Sequence, residues 1–197
     1  MKRAILVLLA VAVVVGGAFA SGQEEMSDGP TVITIGTDAT WPPMEFINED
    51  KELVGFDIDL MNAAAEAAGF EVEFQNTAWD GIFAGLANGD YDAVMSSVTI
   101  TEDRQRTMDF SIPYLNAGQV LIVQQDAPSS WDGLEDLSGE SVGAQIGTTG
   151  AFEIQKYDDI ELLTYDEIGL AVEDLANGRI AGVVADSPIA ADYVLQN

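Results

Sequence analysis

The chain is 197 residues long and 48% apolar, enough for one sizeable domain or two small lobes around a packed core. It carries 34 acidic residues against seven basic ones, and no His or Cys. A field of that sign argues against nucleic acid and anionic membrane surfaces as partners. The missing His and Cys remove disulfides, most soft-metal sites and the common Ser-His and Cys-His nucleophile pairs.

Lys2 and Arg3 precede an unbroken apolar run from Ala4 to Val15, then Gly16, Gly17 and the small-x-small tripeptide Ala18-Phe19-Ala20. This predicts a secretory signal over 1–20, cleaved after Ala20, with an uncleaved anchor as the alternative. Residues 21–30 read as a flexible leader. Removing Lys2 and Arg3 with the signal leaves five bases against 34 acids, a formal charge of −29.

From Thr31 onward strands and helices alternate. "TVITIGTD" (31–38) reads as a strand, "GFDIDLMNAAAEAAG" (55–69) as a helix, "EVEFQNT" (71–77) as a strand and "WDGIFAGLAN" (79–88) as a helix with one apolar face. "LANGDYDAV" (86–94) then reads as a helix end, a left-handed Gly and a buried strand. The order returns in "SVGAQIGTTG" (141–150), a helix near Ala151 to Tyr157, "IELLTYD" (160–166), "EIGLAVEDLAN" (167–177) and "LANGRIAGV" (175–183). Two β-α-β-α-β units predict an α/β fold of two lobes. Each lobe is a mainly parallel sheet with helices on both faces, and a cleft lies between them.

Ligands of open α/β sheets lie beyond the carboxyl ends of the strands. That rule selects Asp38 and Trp41, Trp79, Ser96 to Thr99, Gln145 to Gly150 and Asp186. Thr101 reads as an N-cap with Glu102, Asp103 and Arg104 in the first turn. An arginine there opposes the helix dipole, so Arg104 either clamps a ligand carboxylate or pairs with a nearby acid. Asp186 suits a ligand ammonium or a helix cap; Asp38 suits a cationic or polar tip or a turn. Trp41 and Trp79 are flat walls for a ligand or core residues. Asp57 and Asp59 fit the start of a helix better than a metal site. "GTTG" (147–150) lacks the lysine of a nucleotide-binding loop.

The stretches "IGTDATWPPMEF", "LVGFDIDLMNAAAEAAG", "WDGIFAGLANGDYDAVMSSVTITEDRQRTMDFSIPY", "SVGAQIGTTGA" and "LANGRIAGVVADSPIA" resemble, in order, the extracellular amino-acid-binding proteins of ABC importers, solute-binding family 3, with the type II periplasmic-binding fold. The resemblance implies that Arg104 holds the ligand α-carboxylate with Thr99 and the backbone at Thr149. It implies that Asp186 and Ser97 hold the α-amino group. Trp41 and Trp79 would sandwich the side chain, and Asp38, Ser96 and Gln145 would meet its far end, with Thr148 in the same loop. It also implies lobe one over 31–117, a hinge strand over 118–123 and lobe two over 124–197. Members of the family add a return strand and terminal helices to lobe one. Here the chain stops at Asn197 inside a lobe-two helix, so a C-terminal truncation is expected.

The remaining mature bases, Lys51, Arg106, Lys156 and Arg179, fall on loops or helix flanks, which disfavours an acidic ligand. The expectation is a periplasmic, monomeric receptor with no cofactor, catalytic residue or metal. It would pass a free cationic or polar amino acid, such as arginine, lysine or glutamine, to an ABC permease. A dehydratase on the same fold and the sensing domain of a larger membrane receptor are the alternatives.

Overall fold

The computed structural model describes residues 30–196. The expected signal and leader lie outside the described residues, save Pro30. The first sheet is built on β1 (Val32–Thr37). It is flanked by β5 (Glu71–Asn76) and β6 (Ala93–Val94), both parallel to it, in the order β5-β1-β6. α1 (Phe56–Ala68) and α2 (Trp79–Asn88) provide the crossovers that parallel strands require. Gly89, with φ 78°, takes the left-handed position that ends α2.

Between β1 and α1 runs an antiparallel meander of β2 (Thr40–Trp41), β3 (Glu45–Ile47) and β4 (Leu53–Val54). Sequence periodicity does not reveal it, because strands of two or three residues carry no measurable alternation.

The second sheet has the order β7-β10-β8-β9 and comprises β7 (Gln119–Ile122), β8 (Ser141–Gln145), β9 (Glu161–Tyr165) and β10 (Gly182–Asp186). Its strands are parallel except β7, which runs antiparallel to β10. Every residue of β10 is buried, as expected of a central strand covered on both faces. Val184 packs on one face with Val142, Ala144, Ala151 and Ile154, under α4 (Thr149–Ile154). Val183 and Ala185 pack on the other with Ile168, Ala171 and Leu175 of α5 (Ile168–Ala176) and Ile189 of α6 (Ser187–Gln196). The helix expected over 151–157 therefore starts and ends earlier. Thr148 caps it: its Oγ1 accepts from the Ala151 N–H and donates to the Gln145 carbonyl at 2.7 Å.

The two sheets meet through side chains of the meander. Trp41 and Met44 belong to the same buried cluster as Ile122, Ile168 and Ala171, so the first unit packs directly on α5.

Candidate binding cleft

α3 (Glu102–Gln105) is a single short helix whose N-cap is Thr101; the Thr101 Oγ1 accepts from the Arg104 N–H at 3.2 Å. This anchors the backbone of Arg104 and sends its side chain between the two units. Arg104 Nη1 donates to the Thr99 carbonyl at 2.8 Å and Nη2 to the Gly147 carbonyl at 3.3 Å. Its guanidinium carbon lies 5.5 Å from the Trp79 ring centroid and 5.1 Å from that of Phe83. Among the described residues no carboxylate comes within ion-pair distance of it; Asp103 pairs instead with Arg106, at 2.9 Å on the surface. Burial lowers the pKa of Arg104, and the charge of Asp186 across the cleft partly restores it.

Twelve of the residues singled out in the sequence line one cavity: Asp38, Trp41, Trp79, Ser96, Ser97, Thr99, Arg104, Gln145, Thr148, Thr149, Gly150 and Asp186; Val98, Ile146 and Gly147, from the same selected runs, do not. Their local surroundings differ. Asp38, 4% exposed, accepts from Thr40 Oγ1 at 2.8 Å and, 107 residues along the chain, from Gln145 Nε2 at 2.9 Å. Its backbone N–H donates to Ser96 Oγ at 3.0 Å. The hydroxyls of Thr99 and Thr149 face each other at 3.4 Å from opposite units. Trp79 opens α2 with its ring edge-on to Phe83. Trp41 faces the cavity and also belongs to the core, so the two readings of that tryptophan are not exclusive. The Thr148 hydroxyl is spent on its helix cap.

Burial raises the pKa of both cleft acids. For Asp38, hydrogen bonds from Thr40 and Gln145 oppose the rise; for Asp186, a hydrogen bond from Gln119 and the charge of Arg104 do so.

Sequence reasoning did not find Gln119. This residue of β7 donates from Nε2 to Asp186 Oδ1 and, at 3.0 Å, to Thr149 Oγ1, while its own Oε1 is buried without a donor among the described residues. A glutamine in an apolar strand run gives no local signal, because its role depends on a partner 67 residues away. Gly150 is selected in the sequence only as the last residue of the Gln145 to Gly150 run, with no role of its own, and it lines the cavity. A Cβ there would lie 2.9 Å from the Val184 carbonyl oxygen and 3.0 Å from Gln119 Oε1, so the start of α4 can approach β10 only as glycine.

Residues 33–188 match the family model of bacterial extracellular solute-binding proteins, family 3. The chain belongs to this family. A probable histidine-binding protein of Neisseria gonorrhoeae is 37% identical over 84% of this chain and 63% of its own length. An ABC transporter arginine-binding protein of Escherichia coli (strain K12) is 34% identical over 84% and 67%. The chain thus spans about two thirds of the length of these curated relatives. Among solved structures, an ancestral arginine-binding protein bound to arginine is 40% identical with TM-score 0.81, covering 84% of this chain and 74% of that one. An ancestral arginine-binding protein bound to glutamine gives the same identity and score over 86% and 75%. An ancestral amino acid-binding protein described as a precursor of cyclohexadienyl dehydratase is 37% identical with TM-score 0.81, over 84% and 74%. These likenesses establish the two-lobed α/β fold of the family for this chain.

Proposed function

We propose that this protein is an extracytoplasmic receptor that captures a free cationic or polar amino acid, arginine first, and hands it to an ABC permease. The observation that carries the reading is the charge of the cleft: one base, Arg104, and two acids, Asp38 and Asp186, among its lining residues. Arginine as a ligand has the complementary pattern of one carboxylate and two cations. The α-carboxylate takes the guanidinium of Arg104, helped by Thr99 and the Thr149 backbone. The α-ammonium takes Asp186 and the Ser97 region. The side-chain tip takes Asp38 and Gln145, with Ser96 behind, and its stem lies between Trp41 and Trp79, where cation–π contact contributes ~0.5–2 kcal/mol.

An acidic side chain would need a second base. Arg106, Lys156 and Arg179 are paired with acids on the surface, and Lys51 is exposed in a turn. Lobe one (31–117) and lobe two (124–197) meet at residues 118–123, which act as the hinge. Contacts that bridge the lobes then favour a closed, ligand-bound form. The working molecule is a monomer, exported by the signal over 1–20.

The test is a thermal-shift screen against the twenty amino acids, since a ligand that binds only the folded state raises the melting temperature. The largest rise is expected with arginine, followed by lysine or glutamine. A largest rise with glutamate would overturn the reading. Ultraviolet-detected conversion of a prephenate-type acid to a phenylpyruvate-type product would establish the enzyme alternative instead.

A further inference from the structure

Beneath the cleft floor lie two acids that the binding reading does not use. Glu45, in β3, and Asp57, in the first turn of α1, are both fully buried at 0% exposure. The backbone brings them side by side: the Asp57 N–H donates to the carbonyl of Met44, the residue before Glu45, at 2.9 Å, and the consecutive residues Ser96 and Ser97 each donate to one of the two acids. Their outer partners are the cleft residues themselves. Glu45 Oε1 accepts from Ser96 Oγ at 2.8 Å. Asp57 Oδ2 accepts from the Ser97 N–H at 2.7 Å, from Ser97 Oγ at 3.2 Å and from the Tyr114 hydroxyl at 2.9 Å. The remaining oxygens, Glu45 Oε2 and Asp57 Oδ1, receive no donor from any other described residue.

Three observations converge. Two adjoining buried carboxyls cannot both ionise without a large cost, so the stable form holds one proton between them. Asp57, with three donors on Oδ2, is the anion. Glu45, with a single donor on Oε1, is the one of the two left to carry the proton. Ser97 has φ 47°, a left-handed conformation that a non-glycine residue keeps only when its neighbours hold it, and the neighbour holding its N–H is Asp57.

We propose that Glu45 and Asp57 form a proton-bridged acid pair that positions Ser96 and Ser97, coupling the ligand affinity of the cleft to one buried proton. Burial, reinforced by the charge of Asp57, holds the Glu45 carboxyl well above its ordinary value. The other titratable groups that bear on the pair are Asp38, from the loop after β1, and Tyr114, from the segment before β7. Asp38 adds negative charge, so it strengthens the demand for the proton. Losing the proton places a second anion against Asp57. One carboxyl must then withdraw, releasing either Ser96 and the Asp38 backbone behind it or the strained Ser97.

The ligand half of this inference rests on the amino-acid reading of the cleft, and the experiment separates the two. Arginine, lysine and glutamine binding is measured by calorimetry from pH 5.5 to 8.5 for the chain and for Glu45→Gln, together with the ligand-free melting temperatures of both. The amide of that variant would donate permanently to Asp57 and accept from Ser96. Ionisation of Asp38 and Asp186 strengthens binding of a cationic ligand with pH in both proteins, so the expected result is that the wild-type affinity, taken as a ratio to that of the variant, falls about fivefold or more across the range. The wild-type melting temperature should also fall with pH more steeply than that of the variant. Parallel profiles in the two proteins, or failure of Glu45→Gln to fold, would overturn the proposal. Diverging melting curves with no binding of any amino acid would uphold the acid pair and overturn the amino-acid reading.

Discussion

Arg104 owes its function in the proposed site to what surrounds its guanidinium. Two carbonyls and two aromatic faces hold it in place, and among the described residues no acid pairs with it. Its charge is therefore available to a ligand. Arg104→Ala removes charge-assisted bonds worth about 1.5–3 kcal/mol each, so arginine affinity should fall about 100-fold or more by calorimetry. The lost aromatic contacts amount to about 1 kcal/mol, a shift of about 2–4 °C in the ligand-free melting temperature. A loss of ligand-free stability large enough to account for the lost binding would make Arg104 a structural residue. Asp57 is the opposite case. In the sequence it reads, like its neighbour Asp59, as an acid suited to the start of a helix, and Asp59 is exposed there. In the fold it is buried, and only the packing of β3 and the 114 region on α1 decides that.

At the scale of elements, α3 is the weak link. Four residues are too few to nucleate a helix, so its geometry rests on the Thr101 cap and the backbone bonds that follow it. Thr101→Ala should cost about 1 kcal/mol of stability. Because the cap holds the backbone N–H of Arg104, the variant should also weaken arginine binding about tenfold, and Thr101→Ser should restore it. An affinity unchanged in Thr101→Ala would show that the guanidinium contacts alone fix the arginine. The second sheet is more robust, since β10 is covered on both faces and its helices reach into two separate apolar clusters. Helix faces such as Ile168–Leu175 were legible because they carry their own period, and the apolar run Gly182–Ala185 because it follows a helix end and a left-handed Gly. The β2–β4 meander was not, and neither was the N-cap at Thr148, which requires knowing where α4 begins.

The whole molecule is strongly acidic, at −27, and its cleft buries acids rather than pairing them. Asp38, Glu45, Asp57 and Asp186 all have folded-state pKa values raised first of all by burial. A raised acid binds its proton more tightly in the folded state, so its contribution to stability is complete below the ordinary carboxylate range of about 4. It is lost as pH rises through the raised value. The ligand-free melting temperature should therefore be higher at pH 5 than at pH 8, by calorimetry or circular dichroism. Bound arginine, by placing cations against Asp38 and Asp186, should flatten that slope. A slope unchanged by saturating arginine would mean that the ligand does not reach those carboxylates.

By itself the sequence determined the alternation of strands and helices, the two-unit repeat and the set of polar residues at strand ends. These follow from local periods and from the rule that links strand termini to sites. Only the tertiary structure decided which acids are buried, which donors reach them, that Gln119 lines the cleft, and that Glu45 and Asp57 stand behind it. Burial and hydrogen bonding are set by neighbours distant in the chain, as with Asp38 and Gln145 across 107 residues, and no local pattern encodes them.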